Sequence, residues 1–490
     1  MYNPTLEEYR EFAEKGFKTV PVSRSILADI RTPIEVLNAL MRVDNHCYIL
    51  ESVEDKQKWG RYTFIGFEPV LEFVCDNGTV RITENGITEI TNDADPTEKI
   101  REILKRFESP RFDDQSPFTG GLVGYFSYDY IKYAEPSLKL KAYDDADFKD
   151  ADLMLFDKVI VFDNFRQTIT VIAHACCKDR DEGYQKAVNQ IERIIDIIRN
   201  GKARDHVPAK LLSDFRETHN REKFEAMVEK AKEYIREGDI FQCVPSNRLE
   251  ADFEGSLMDV YRVLRTTNPS PYMFYLSGSD IEVAGASPET LVKLQDGILH
   301  TFPLAGTRPR GSTAEEDERL EKELLSDEKE LAEHNMLVDL GRNDLGKVSK
   351  FGTVGVEKYM EIERYSHVMH IGSTVRGEIR DDKDAMDAIE AVLPAGTLSG
   401  APKLRACQII DSLENCKRGI YGGAIGYIDL SGNMDMCIAI RIAYRRGNKV
   451  FVRAGAGIVA DSVPTNEYYE SVNKAKAVVL AIRKASEGLE

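Results

Sequence analysis

Short β-prone runs joined by residue pairs that tolerate positive φ recur along this chain, and they commit long stretches of it to hairpins. LEFVCDNGTVRITENGITEI (71–90) alternates apolar and polar positions around Asn77-Gly78 and Asn85-Gly86, and the runs 290–294 and 298–302 flank Asp296-Gly297. Further strands are expected at HCYILES (46–52), RYTFIGFEP (61–69), 118–127, 153–173 and 240–253, and a β-rich block at 420–460. Between them, apolar residues at helical spacing predict helices over 96–107, 181–199, 220–236, 255–266, 314–341, 382–393, 403–415 and 465–487. A helix over 33–42 is announced by Thr32 as N-cap and Pro33 at the first position. NPSPYMFYL (268–276) reads as irregular and proline-rich, and no fixed-period repeat suggests a solenoid. The polar GKARDHVPAK, 201–210, opens a linker that divides the chain into 1–200, 201–218 and 219–490.

With 490 residues, 42% of them hydrophobic, the chain can bury a large core. A net charge of −18 excludes a broad surface for nucleic acid or anionic membrane, so any anion site must be a local pocket. The first residues are charged, and no run approaches the ~18 apolar residues of a membrane span, which fits a cytoplasmic protein. Eight scattered cysteines, with only Cys176 and Cys177 adjacent and no Cys-x-x-Cys pair, fit reduced thiols better than disulfides or structural zinc.

Several stretches carry possible chemistry. In PLAGTRPRG (303–311), which reads as a loop leaving a strand, Gly306 permits close backbone approach, Thr307 offers a hydroxyl, and Arg308 and Arg310 could hold a carboxylate or phosphate. A proline-bounded turn with two solvated arginines serves the same residues. Glu289 in ASPET is either an exposed turn carboxylate or a partly buried general acid. Glu330 and Glu333 sit one turn apart on one helix, as do Glu467 and Glu470 on another, with Lys474 four residues beyond. Each pair alone suits a solvated face; together they could converge on a hard cation such as Mg²⁺. His367 and His370 hint at zinc, but no third ligand stands at metal spacing, so one histidine acting on substrate fits better. GTLSGAPK (396–403) lacks the spacing of a nucleotide-binding phosphate loop. RAGAGIVADS (453–462) could bring backbone N–H groups to a carboxylate or simply pack tightly, and Arg441 ends the apolar run CIAIR.

Taken in order, ASPET, PLAGTRPRG, DEKELAEHNMLVDLGRNDLG (327–346), YSHVMH, GTLSGAPK, YGGAIGY (421–427), CIAIRIA and RAGAGIVADSVPTNEYYE closely resemble the chorismate-utilising enzymes over 220–480. Within that family the chain is similar to the large subunits that make anthranilate, with ILES and RYTFIGFEP extending the likeness to the first 200 residues. The resemblance implies an α/β fold of the α+β type, with two stacked, largely antiparallel sheets flanked by helices and a cleft for chorismate. It implies Mg²⁺ held by Glu333 and Glu470, with Glu330 and Glu467 behind them or acting through water. Gly306, Thr307, Tyr421, Arg441, Gly455, Ala456, Gly457 and Lys474 would bind the substrate, with Thr397 nearby. Glu289 would protonate the departing 4-hydroxyl as ammonia attacks C2, and His370 would assist the loss of pyruvate.

Two positions choose among the family's reactions. Relatives that add water carry a lysine base where this chain has Gln242, and ammonia needs no such base. Relatives that aminate C4 carry a lysine nucleophile where this chain has Ala305, so ammonia should enter C2 directly. Arrest at the 2-amino intermediate and a non-catalytic ligand sensor are the alternatives. None of the cysteines lies in a Gly-x-Cys elbow, so the resemblance implies a separate glutamine amidotransferase subunit and hence a hetero-oligomer. It also implies inhibition by tryptophan bound near Ser52, Pro271, Tyr272 and Met273, with Glu51 placed to meet its ammonium group.

Overall fold

The computed structural model describes residues 1–52, 60–93, 95–113, 115–364 and 368–489. Alternation along the strands decides the architecture, because successive side chains of one strand enter different cores. In Tyr272–Ser277, Met273 and Tyr275 join one apolar cluster, while Phe274 and Leu276 join another. Lys158–Asp163 does the same, with Ile160 and Phe162 on one side and Val159 and Val161 on the other.

These strands belong to two antiparallel sheets of 12 strands each. Phe64, Phe274 and Tyr444 of the first sheet meet Tyr125, Phe156 and Tyr427 of the second in the cluster between them. The outer face of the first sheet packs on the helices Pro33–Leu40, Asp181–Asn200, Met258–Thr267 and Pro464–Glu487. The outer face of the second is covered by Pro96–Arg106, Glu328–Gly346 and Ala385–Val392. The result is a helix, sheet, sheet, helix stack, the α/β arrangement the resemblance implied. No helix among the described residues is long and apolar enough to cross a membrane.

Local chemistry explains the ends of the elements. Thr32 and Glu35 close a capping box with Pro33 in the first turn of Pro33–Leu40, and Asp296 (φ 53°) and Gly297 (φ 80°) turn the expected hairpin. Three expectations are corrected. Residues 303–311 are not a loop: Leu304–Pro309 is a strand pairing with Val368–Glu378, with a bulge between Ala305 and Arg308 that absorbs the Gly306-Thr307 pair. The helix expected over 314–341 is two, Ala314–Leu325 and Glu328–Gly346, because Asp327 caps the second through the N–H groups of Lys329 and Glu330. The segment read as irregular becomes a strand at Tyr272, where it pairs on both sides, with Cys47–Glu51 and Ile281–Ser287. The helix Leu6–Glu14 was not foreseen, and the strand Thr19–Leu27 opens the stretch from 20 to 165 that reads as mostly strands.

Strands from both sides of 201–218 enter both sheets: Cys47–Glu51 pairs with Tyr272–Ser277, and Gly121–Phe126 with Ala424–Asp429. The 201–218 segment adds Lys210–Leu211 and Arg216–Glu217 to the edge strand Ser246–Glu254. The division into 1–200, 201–218 and 219–490 therefore follows chain order and cuts across the sheets.

Candidate active site

A cavity of about 570 Å³ opens where ends of both sheets meet the helices Glu328–Gly346 and Pro464–Glu487. Each helix shows it a stripe at i, i+3 and i+7: Glu330, Glu333 and Leu337 from the first, Glu467, Glu470 and Lys474 from the second. Leu304 to Thr307 and His370 form one wall, Gln242 and Val244 another, and Glu289, Thr397, Tyr421 and Arg441 reach in from turns and strand ends.

Glu289 lies in the two-residue link between Ile281–Ser287 and Thr290–Gln295. Its carbonyl accepts the Ile438 N–H at 2.9 Å, and Ser287 Oγ donates to the Ile438 carbonyl at 2.6 Å, which fixes the link. Burial pushes the Glu289 carboxyl up to about 7, against the opposing pull of a 3.0 Å hydrogen bond from Thr397 Oγ1 and of the Lys474 charge. It is thus a carboxyl half-protonated near neutrality, suited to proton donation.

The strand bulge brings the Gly306 carbonyl to His370, whose Nδ1 lies 2.8 Å from that oxygen and 3.1 Å from Thr307 Oγ1. Donation to the carbonyl requires the Nδ1–H tautomer and leaves the lone pair on Nε2. Burial lowers the His370 pKa, so the ring is neutral at pH 7. Gly306 has φ 62°, and a Cβ there would come within 2.8 Å of Leu324 Cδ1 and 3.2 Å of Glu330 Oε2.

Gln242 is held by the ladder Gln242–Cys243 with Gly400–Ala401, so the GTLSGAPK turn places it. Only glycine fits at 400: its φ is 141° and a Cβ would collide with the Gln242 carbonyl oxygen. The Gln242 side chain is 4% exposed, and its Oε1 has no hydrogen-bond partner among the described residues. Burial lowers the Arg441 pKa and raises that of Tyr421 to about 12, so the first is a cation and the second a neutral phenol at pH 7.

Among the four carboxylates, burial first and the Glu330 charge second raise the Glu333 pKa, and burial likewise raises that of Glu467. Lys474 lies 2.8 Å from Glu470, and Arg308 lies 3.8 Å from Glu330. No closed metal cage is formed among the described residues. Like charges pressed together beside a buried wall are nonetheless the donor set a hard cation relieves, and oxygen-only ligands suit Mg²⁺.

Some assignments shift. Arg308 is bound to Glu323 and Asp327, each at 3.0 Å, and Arg310 to Asp317 at 2.5 Å, so the two arginines brace the neighbouring helices outside the cavity wall. Gly455 and Gly457 line the cavity, but the Ala456 methyl joins the apolar cluster of Phe224, Ile240 and Ile458, leaving Ala456 only backbone to offer. Lys329, Arg453 and Ser462 line the cavity and were missed, because their signal is lodged in motifs already read for their neighbours. His367 lies outside the described residues.

Away from the cavity, Ser52 follows the strand Cys47–Glu51, and that strand pairs with Tyr272–Ser277 through Glu51 and Met273. Ser52 Oγ is buried without a hydrogen-bond partner among the described residues. Pro271 is half-buried and immediately precedes the strand Tyr272–Ser277, which pairs with Cys47–Glu51. Tyr272 and Met273 point to opposite faces: the Tyr272 hydroxyl bonds Asp435 and Thr290 at 2.8 and 2.9 Å, while Met273 is 1% exposed in the outer core. Glu51 accepts hydrogen bonds from Tyr261 and Arg265, which fix its carboxylate.

The chorismate binding enzyme family model matches residues 45–480. The chain belongs to the chorismate-binding enzymes. It is 47% identical to the anthranilate synthase component 1 of Acinetobacter calcoaceticus over 500 residues, covering 99% of each chain. It is also 47% identical to that of Aquifex aeolicus, over 498 residues covering 100% of this chain and 99% of the relative. Among solved structures, anthranilate synthase component I from Streptococcus pneumoniae aligns with a TM-score of 0.77 and 39% identity, over 92% of this chain and 98% of that one. The menaquinone-specific isochorismate synthase of Escherichia coli shares the fold, with a TM-score of 0.70 at 19% identity over 97% and 98% of the two chains. This chorismate-binding enzyme thus sits with the component 1 relatives along its whole length.

Proposed function

We propose that this enzyme converts chorismate and ammonia into anthranilate, pyruvate and water, the entry step to tryptophan, in the cytoplasm. The observation that carries the reading is the half-buried Glu289 carboxyl, held by Thr397 at 3.0 Å and pushed up to about 7, in a cavity that also holds Arg441 and Lys474. A dianionic substrate needs cations to bind and an acid to lose hydroxide, and both stand in one cavity. Arg441, Lys474, Tyr421, Thr307 and the backbone of Gly306, Gly455 and Gly457 bind the two carboxylates. Mg²⁺ would be held by Glu333 and Glu470, with Glu330 and Glu467 behind, and when bound it would neutralise the ring carboxylate and draw charge from the leaving group.

Ammonia enters beside Gln242, whose Oε1 accepts a hydrogen bond from it. As its lone pair attacks C2, the ring double bonds shift and the C4–O bond breaks, with Glu289 delivering the proton that makes the departing group water. The C2 ammonium gives one proton back to the Glu289 carboxylate. Neutral His370 then takes the C2 proton through Nε2 while the C3–O bond breaks, giving the aromatic ring and enolpyruvate, which takes a proton at its methylene carbon to become pyruvate. No lysine stands at 242 or 305 to activate water or to attack the ring. The ammonia comes from a separate glutaminase subunit in a hetero-oligomer. Tryptophan inhibits from a site at Ser52, Pro271, Tyr272 and Met273, where a Ser52 hydroxyl with no hydrogen-bond partner among the described residues supports the placement.

Incubating the purified chain with chorismate, Mg²⁺ and ammonium tests the reading, with anthranilate fluorescence expected. Glutamine in place of ammonium should give none. An aminated product that keeps its enolpyruvyl group would reassign the enzyme to the 2-amino intermediate, and no reaction would overturn the reading.

A further inference from the structure

Glu414, Arg418 and Arg453, the last of which lines the cavity, form an ionic cluster in which each residue is 1% exposed. Glu414 ends the helix Lys403–Glu414 and accepts from the Ser246 N–H at 2.7 Å and Ser246 Oγ at 2.9 Å. It also takes Arg418 NH2 and Arg453 NH2, each at 2.5 Å. Burial alone would favour the acid form, but the two arginines hold Glu414 below the usual carboxylate range. Two cations against one anion leave a positive charge sealed beside a cavity for a dianion.

The remaining donors of Arg418 go to the wall itself. NH1 donates to the Leu398 carbonyl at 2.6 Å and NH2 to the Val244 carbonyl at 2.5 Å. Leu398 follows Thr397, which bonds Glu289, and Val244 stands two residues past Gln242. The guanidinium lies 4.4 Å from the Tyr128 ring centroid and 5.7 Å from that of Tyr421, a cavity residue. Burying such a cluster is a poor route to stability, since apolar packing of the same volume often does better. Its use here is geometric. The two segments are joined by a two-residue ladder and its flanking bonds, Phe241 N–H to the Ala401 carbonyl at 2.7 Å and Val244 N–H to the Ser399 carbonyl at 3.0 Å. One planar fork spans them and adds the side-chain tie that fixes their ends.

We propose that Arg418, braced by Glu414 and the Tyr128 ring, is a positioning residue that fixes the separation of Gln242 from the Thr397–Glu289 pair. It sets the distance between entering ammonia and the general acid, and touches neither. The inference rests on the catalytic reading above.

The test is Arg418→Lys, which keeps the charge but cannot span both carbonyls and Glu414 at once. Circular dichroism and melting first establish the folded fraction. In the folded variant kcat should fall by about tenfold or more and the ammonium KM should rise, with the chorismate KM within about threefold, since small misplacements act on the chemical step. A lower melting temperature with kcat per folded molecule within about twofold of wild type would overturn the proposal and leave Arg418 a stability element. So would a raised chorismate KM with unchanged kcat. If Arg418→Lys does not fold, Tyr128→Leu, which only loosens the guanidinium, is read by the same criteria. Wild-type anthranilate formation is the control: its absence counts against the catalytic reading, whereas equal kinetics in wild type and variant count against the positioning role alone.

Discussion

Glu289 stood in the sequence as a candidate acid with an exposed turn carboxylate as the alternative; desolvation in the cavity decides between them, raising its pKa to about 7 against the pull of its bond to Thr397, 108 residues away. A general acid works from its protonated form, so kcat at saturating chorismate and free ammonia should decline as pH rises through about 7. Glu289→Gln should flatten that limb and cost roughly 10²- to 10⁴-fold in kcat. A pH profile that stays level in wild type between 6 and 8, at about constant free ammonia, would remove Glu289 from the protonation step. The metal pair admits a similar trial. Glu333→Gln or Glu470→Gln should lower turnover by roughly a hundredfold or more at millimolar Mg²⁺ with the melting temperature preserved, and near-normal turnover would free that residue of the role. Residue identity foretold which groups enter the cavity better than it foretold their directions. Arg308 and Arg310 were open between anion ligands and solvated turn residues because charge alone is legible, and the acids that engage them lie 7 to 19 residues on, in and just past the next helix.

At the scale of elements, periodicity performed best where one pattern ruled a long stretch. The helices Glu328–Gly346 and Pro464–Glu487 place their glutamates as their spacing required. It failed at 303–311, where glycine and two prolines look like a turn yet a bulge lets the strand continue. It failed again between 314 and 341, where a charged periodicity runs unbroken through a cap that only Asp327 marks. The two-residue ladder of Gln242–Cys243 with Gly400–Ala401 was beyond such reading, since strands that short carry no period. That ladder makes Gly400 the sharpest local trial. Gly400→Ala forces the φ of 141° on a residue with a Cβ and drives it into the Gln242 carbonyl, which should cost about 1–3 kcal/mol or more of stability. Activity should fall further than the loss of folded protein explains. A melting curve matching wild type would show that the ladder yields without strain.

On the whole molecule, the two sheets place the proposed tryptophan site and the catalytic cavity in one continuous framework. Ser52 leaves the strand Cys47–Glu51, and the strand Ile281–Ser287, two places across the sheet on the far side of Tyr272–Ser277, ends two residues before Glu289. Tryptophan binding at one end can therefore bias the other through a shared sheet, with a coupling of about 1–3 kcal/mol if ordinary. Ser52→Phe should fill the site, shift the tryptophan inhibition curve strongly to higher concentration, and leave uninhibited turnover close to wild type. Superimposable curves would place the control elsewhere. The stack of layers was legible through family likeness more than through pattern, because alternation tells which residues face a core but not which of three cores receives them.

The interleaving of early and late strands also governs how such a chain comes into being. When the first 200 residues have left the ribosome, Cys47–Glu51 still awaits Tyr272–Ser277, and Gly121–Phe126 still awaits Ala424–Asp429. Each half-sheet then presents an open edge to anything nearby, and the strand that finally seals the second sheet is translated some 300 residues after the edge it covers. At about 5–20 residues per second that wait lasts on the order of 15–60 s. During that wait the unpaired edges of Cys47–Glu51 and Gly121–Phe126 are the surfaces by which an unfinished chain would aggregate or be held by a chaperone.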